Sequence, residues 1–358
     1  MDQIEAKQII QKLSEYKSEG VVILGPAGRK EKKLRVYCNG GDLGKIDTDG
    51  YAHEIHMNTD YADRHLTGEQ QEELLKIISD NKESDNERAG HYLIDDDYLS
   101  LMINATKDFG LKGKTYKGER LKKERFIETA LISSYQKDMS SHEDIPFFVY
   151  DMEYDIILPT RKTAKGGIKH SKPDFMVFDG ERIGVVELKY DADSMSMGST
   201  NSLENHYKDF MDFIWNDGAR LKRWDLVDET IHRMEILKSM GLVPQKWEAG
   251  ITGLRQWYNE RKDGAFCPDI FWIGFLFVEG PHKKRKNRQK KMTDCRECVE
   301  NEVKLQLKEV MKENRDKPTM VRYGYCQNDE QPSMILDKEV RLDSSDNIVL
   351  VDFPYQKK

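Results

Sequence analysis

Two carboxylates and a lysine stand in an apolar stretch of this chain at a spacing that brings them side by side. Residues 172–190 read Lys-Pro-Asp-Phe-Met-Val-Phe-Asp-Gly-Glu-Arg-Ile-Gly-Val-Val-Glu-Leu-Lys-Tyr. Val, Ile and Phe fill two strand-like runs, and Asp179-Gly180 between them is a strong hairpin signal. A two-residue loop sets Phe178 opposite Glu181 and Asp174 opposite Val185. A loop running from Asp179 to Arg182 sets Asp174 opposite Glu187. Side chains alternate faces with a period of two, so either register puts Asp174, Glu187 and Lys189 on one face. Carboxylates about 5–8 Å apart repel unless a cation lies between them. Hard oxygen ligands at that spacing suit magnesium or manganese. Lys189 would orient or deprotonate a water, or neutralise charge on a phosphate. Charges inside an apolar run are costly without a purpose.

Pro173-Asp174 and Glu187-Leu188-Lys189 resemble the signature of the PD-(D/E)xK nuclease superfamily, over roughly residues 117–280. The resemblance implies a restriction-endonuclease-like α/β/α sandwich with a mixed central sheet. It implies that Asp174, Glu187 and the Leu188 carbonyl bind Mg2+ or Mn2+, and that Lys189 positions the attacking water. Members often supply a further glutamate from the helix before the hairpin. Here that helix is expected over 119–135, with Phe126, Ile127, Ala130 and Leu131 inward. Glu124 falls at the edge of that face and Glu128 further toward solvent. Glu124 is thus the candidate, against the alternative of a solvated helix glutamate. Members also place a polar or basic residue near the substrate phosphate, on the helix expected over 203–215. His206 has that place here, with a core-edge histidine as the alternative. The implied activity is metal-dependent phosphodiester hydrolysis, with DNA favoured as substrate, endonuclease over exonuclease, and 5′-phosphate and 3′-hydroxyl ends. Restriction or anti-phage defence is the context that goes with it.

The net charge of −7 argues against a uniformly basic nucleic-acid binder. Phosphate binding needs only a local patch. Residues 159–173 hold Arg161, Lys162, Lys165, Lys169, His170 and Lys172 with no acidic residue, and the run leads directly into Asp174. Arg161, Lys162, Lys165, Lys169 and Lys172 are therefore candidate nucleic-acid contacts. A second basic run occupies 282–291. No stretch of eighteen apolar residues exists, so no membrane partner is expected. The N-terminus lacks an apolar signal core, and five cysteines fit a reducing cytosol. A cytoplasmic protein is expected.

Three regions are expected. Residues 1–105 form a small α+β domain that serves partner, target or homo-oligomer contacts. Its parts are a helix over 2–19, strands at Val21–Leu24, Leu34–Tyr37 and Tyr51–Met57, and a helix capped by Thr67. Residues 106–280 form the nuclease core. It should contain a strand from Phe147 to Leu158 ended by Pro159, the 173–190 hairpin, helices to about Met240 and a strand at Phe271–Val278. Residues 281–358 add a basic segment, a helix from Thr293 to about Asn314, and strands at Met320–Cys326 and Ile348–Phe353, packed on the core.

Other patterns carry less. Cys295 and Cys298 are a lone Cys-x-x-Cys at a helix start, weak as a metal site. The Gly25–Lys30 run lacks the spacing and the hydroxyl of a phosphate loop. Rival readings are a catalytically silent nucleic-acid-binding or scaffold protein of the same fold, and an RNase or DNA-repair exonuclease.

Overall fold

Three apolar runs, Phe175–Phe178, Ile183–Tyr190 and Phe271–Val278, become adjacent strands in the computed structural model, buried along almost their whole length. Strands buried on both faces must be covered on both. The structure describes residues 2–353 apart from 29, 50–52, 58, 63–65, 84–88, 108–112, 116–117, 121–126, 134–146, 164, 191–201, 280–295 and 328–335. The chain divides into two compact units, Met1–Ser140 with His232–Pro244, and Ser141–Ile231 with Gln245–Lys358.

In the first unit, helix α1 (Asp2–Glu15) buries Ala6, Ile9, Ile10 and Leu13, one stripe at helical spacing. A four-stranded antiparallel sheet follows: β1 (Val21–Leu24), β2 (Lys33–Cys38), β3 (Gly41–Asp47) and β4 (Glu54–Ile55), in that order. Helix α2 (Gly68–Glu83) starts at a capping box: Gln70 N donates to Thr67 Oγ1 at 3.4 Å and Thr67 N to Gln70 Oε1 at 3.0 Å. Helices α3 (Ala89–Ile94) and α4 (Asp96–Thr106) come next, and Asp95 caps α4 through the N–H groups of Asp97 and Tyr98. A short hairpin of β5 (Gly113–Thr115) and β6 (Gly118–Arg120) precedes a helical segment, α5, at 127–133.

Several expectations change here. Among the described residues of the strand expected at Tyr51–Met57, Glu54–Ile55 form a strand, while Gly41–Asp47, unremarkable by β-propensity, is one too. Gly44 explains the pairing: at φ +153°, an added Cβ would fall 1.9 Å from the Glu54 carbonyl oxygen. Only glycine lets β4 approach so closely. The helix expected from Glu119 does not begin there, because 118–120 are strand β6. Glu124 lies outside the described residues. Glu128, expected toward solvent, is 3% exposed and shares burial with Ile127, Leu131 and Ile132. The expected boundary after 105 falls inside the first unit. Ser133 Oγ donates to the Lys17 carbonyl at 2.8 Å, and Arg233 Nε to that of Pro26 at 2.6 Å. These bonds bring both later segments into this unit. The Gly25–Lys30 run offers carbonyls to two arginines, Arg35 and Arg233, the reverse of the N–H cradle a phosphate needs.

The second unit holds β7 (Phe148–Met152), β8 (Ile156–Lys162), β9 (Ile168–Ser171), β10 (Phe175–Phe178) and β11 (Ile183–Tyr190). Helices α6 (Leu203–Trp215), α7 (Arg220–Ser239) and α8 (Gln245–Arg261) follow. Then come β12 (Phe271–Val278), α9 (Arg296–Glu313), β13 (Met320–Cys326), β14 (Lys338–Leu342) and β15 (Ile348–Asp352). The division between units falls within α7. Seven strands make a mixed sheet in the order β15-β14-β13-β12-β11-β10-β7. β11, β12 and β13 are parallel neighbours; every other adjacent pair is antiparallel. The strands after residue 281 therefore extend the central sheet itself. The strand expected from Phe147 to Leu158 is two strands, interrupted at Glu153, which adopts φ +50°. Pro159 does not end β8: it sits in a bulge between Leu158↔Lys169 and Lys162↔Ile168, a position that needs no ladder N–H.

The hairpin register is that of the longer loop, with Phe178↔Ile183 and Phe175↔Val186 paired. Asp179 selects it. Its N–H bonds to the Arg182 carbonyl at 3.1 Å, and its Oδ1 accepts from Glu181 N at 3.1 Å and Arg182 N at 2.8 Å. Such local carboxylate bonds mimic a backbone turn. Arg322, 3% exposed, holds Asp179 Oδ2 at 2.8 Å and lies over the Trp272 ring at 4.2 Å.

Two stability measurements follow from this packing. A Cβ on Gly184 would lie 2.3 Å from Trp272 Cζ2 and 2.5 Å from Val177 Cγ2. Gly184→Ala is expected to cost about 1–3 kcal/mol through overpacking, read as a lowered urea midpoint. His53, 1% exposed, accepts a bond from Asp47 N at Nδ1, 3.2 Å. Burial lowers its pKa, assisted by Lys33 and opposed by Glu5 and Asp47. The unfolded chain takes up this proton near pH 6.5 and the folded chain only at lower pH. Stability is therefore lost as pH falls from about 7 toward 5. In chemical denaturation across that window, His53→Gln is expected to flatten the decline.

Candidate active site

Every group of the site comes from the second unit. Continuing the β10–β11 register by one residue sets Asp174 opposite Glu187, and by two sets Pro173 opposite Leu188. Directly opposed residues have Cβ atoms about 4.5–5.5 Å apart. Leu188 N donates to Asp174 Oδ2, so the Leu188 backbone is turned toward β10. The N–H and C=O of one strand residue point to the same side, which aims the Leu188 carbonyl at Pro173. Proline has no N–H, so the ladder gives that carbonyl no donor. The proline thus leaves an acceptor oxygen beside two carboxylates.

Glu187 and Lys189 share the same face, two residues apart on β11, and are 4% and 3% exposed. Lys189 Nζ contacts Glu187 Oε1 at 2.7 Å. Helix α6 covers this face. Ser202 caps it at Asn205 N, and Leu203, Tyr207, Phe210, Met211 and Ile214 form its buried stripe. His206 on α6 brings Nε2 to 3.1 Å from Glu187 Oε1, close but without the angles of a hydrogen bond. Burial, then the charges of Lys189 and Lys169, push the His206 pKa down to about 3. The ring is therefore neutral at ordinary pH. It lies against the Glu187 carboxylate.

The basic run 159–173 is the β8–β9 ribbon. Two of its cations are already engaged. Arg161 Nη1 and Lys169 Nζ both hold Asp209 of α6, the lysine at 2.7 Å, and Asp209 is only 5% exposed. Arg161 Nε lies 3.8 Å from Asp212, which accepts from Thr160 Oγ1 at 2.8 Å. The bulge at Pro159–Arg161 accommodates this inward turn of Arg161. His170 pairs with Asp155 at 2.9 Å. Lys162, Lys165 and Lys172 are exposed. Asp209 was not among the candidate residues. Its signal in the sequence is an acid beside the buried stripe of α6, next to Phe210, where only a cation partner makes burial affordable.

Asp174, Glu187 and the Leu188 carbonyl offer the hard oxygens that magnesium takes, with water filling the remaining positions. Among the described residues, no group of three or more His, Cys, Asp or Glu side chains is arranged to hold a metal. Two carboxylates and one carbonyl would leave the remaining positions of such an ion to water. Cys298 is described and Cys295 is not, and the basic run 282–291 also lies outside the described residues.

The buried Glu187–Lys189 pair has a measurable consequence. In chelator, Lys189→Met removes the ammonium from a buried carboxylate and is expected to cost about 3–5 kcal/mol. Glu187→Gln combined with Lys189→Met should recover most of that loss in a denaturation double-mutant cycle. This geometry stands without a relative beside it: no family model, no curated protein and no solved structure matches the chain.

Proposed function

We propose that this protein is a metal-dependent nuclease of the restriction-endonuclease-like α/β/α type, cleaving phosphodiester bonds, with DNA the favoured substrate. The observation that carries the reading is the register that sets Asp174 beside Glu187 and Pro173 beside the Leu188 carbonyl. These three oxygens would hold Mg2+ or Mn2+. The bound ion would supply Lewis-acid stabilisation of charge developing on the scissile phosphate. Lys189, fixed on Glu187 and nearly water-free, orients an attacking water and adds a positive charge where the transition state is more anionic than the substrate. His206 stays neutral, excludes water and limits how Glu187 can move. Its low pKa makes it a poor base at neutral pH. Asp209 holds Lys169 and Arg161 at the mouth of the site.

A second reading has one observation in its favour. Lys189 rests directly on Glu187, as it would in a purely structural ion pair within a nucleic-acid-binding or scaffold protein. An RNase or repair exonuclease would use the same residues.

One assay separates these readings. Plasmid, linear duplex, single-stranded DNA and RNA are incubated with the full chain, with Mg2+ or Mn2+ and with excess chelator. Cleavage is expected only with the divalent ion. Asp174→Asn and Glu187→Gln are expected to lower turnover by at least about a hundredfold; Asp174→Asn should keep the melting transition, while Glu187→Gln should fold but melt lower, because it leaves Lys189 buried without its carboxylate. Cleavage that persists in chelator, or in either variant, would sink the mechanism.

A further inference from the structure

We propose that the β8–β9 ribbon enters a groove of the substrate, and that the substrate is therefore duplex DNA. The inference rests on the nuclease reading and narrows it to one class of nucleic acid. The ribbon is a two-stranded antiparallel sheet of its own, separate from the seven-stranded sheet. Its outer part is exposed. Lys162 and Lys165 make no ion pair among the described residues, and Ile168 is 47% exposed, directly across from Lys162. Among the described residues this large exposed aliphatic and the two lysines beside it have no ion-pair partner, and together they match a surface that is anionic at its rim and carries methyl groups among the polar edges of its floor.

The ribbon is also pre-shaped. Thr163 N donates to the Gly167 carbonyl at 2.7 Å and Gly166 N to that of Thr163 at 2.9 Å. Gly167 N bonds Thr163 Oγ1 at 3.1 Å. Gly166 adopts φ +81°, as the last position of a tight hairpin loop requires. The root is clamped by Asp209 on Arg161 and Lys169. Asp209 lies on α6, the helix whose His206 Nε2 is 3.1 Å from Glu187 Oε1. The ribbon is thus held rigidly at its base beside the two carboxylates.

Groove dimensions select the ligand. The major groove of B-form DNA, about 12 Å wide, admits a two-stranded β-ribbon. That of A-form RNA is deep and too narrow for side chains to read, and a single strand has no groove. With the ribbon seated, Lys162 and Lys165 reach flanking phosphates, and Ile168 meets base edges or a thymine methyl.

The test measures binding of the full chain, in chelator, to a short mixed-sequence DNA duplex, the RNA duplex of the same sequence and the DNA single strand. The DNA duplex is expected to bind most tightly. Lys162→Ala with Lys165→Ala should weaken it about tenfold at physiological salt and lower the log–log salt slope by about 1.8. Ile168→Ser should weaken it with the slope unchanged. Equal or tighter binding of RNA duplex or single strand overturns the inference, as does unaltered duplex binding by the ribbon variants. Metal-dependent cleavage of RNA or single strands alone would also overturn it while leaving the nuclease reading intact. Ribbon-dependent duplex binding without cleavage of any nucleic acid would overturn the nuclease reading alone.

Discussion

The pairing of β10 with β11 fixes everything else at this site. Asp179 closes a four-residue turn with three hydrogen bonds, and the register then runs without slippage to the far end. A shift of one residue would send Glu187 and Lys189 to the opposite face. The register sets Asp174 against Glu187 and places the one residue lacking an N–H against Leu188. The constraint is anchored where the chemistry is not. Arg322 clamps the Asp179 turn between aromatic rings, and Gly250 of α8 approaches the Gly180 carbonyl so closely that a Cβ there would fall 2.3 Å away. The turn is thereby held by packing as well as by its own bonds.

The charges around the site form one connected economy. Glu187, Lys189 and Asp209 are each nearly buried, a costly state unless paired. Each is paired: Lys189 on Glu187, and Arg161 with Lys169 on Asp209. His206 stands between the two pairs, and their ammonium groups help keep its ring uncharged. A protonated ring would add a fourth cation to Lys189, Lys169 and Arg161. The neutral imidazole acts as a spacer against which the carboxylate rests.

The ribbon combines the two devices. Its bulge at Pro159 lets Arg161 turn inward to Asp209, while Lys162 and Lys165 beyond it remain exposed. A run of cations that looks uniform along the chain is thereby split into anchoring residues and exposed ones. Burial of one partner decides which is which: Asp209 is inside, so the cations that reach it are held at the root of the ribbon.

The sequence by itself determined the strands whose residues are apolar throughout and the turn between the first two. Period-two alternation then gave the common face of Asp174, Glu187 and Lys189. These are local properties: side-chain alternation and turn chemistry need no distant partner. The same holds for α6, α9 and β13, whose apolar patterns are strong. Tertiary structure alone decided the rest. The choice between two hairpin registers depended on how the Asp179 carboxylate was used. Strand β4 can lie against β3 because Gly44 admits the Glu54 carbonyl, which no propensity records. The break at Glu153, whose N–H bonds the Asp174 carbonyl at 3.1 Å, and the burial of Glu128 likewise depend on the fold. So do the recruitment of 232–244 to the first unit and the pairing of Arg161 and Lys169 with Asp209. Apart from the Asp179 turn, these join residues that are not neighbours in the chain, and their energy comes from burial and hydrogen-bond satisfaction that exist only once the chain has folded.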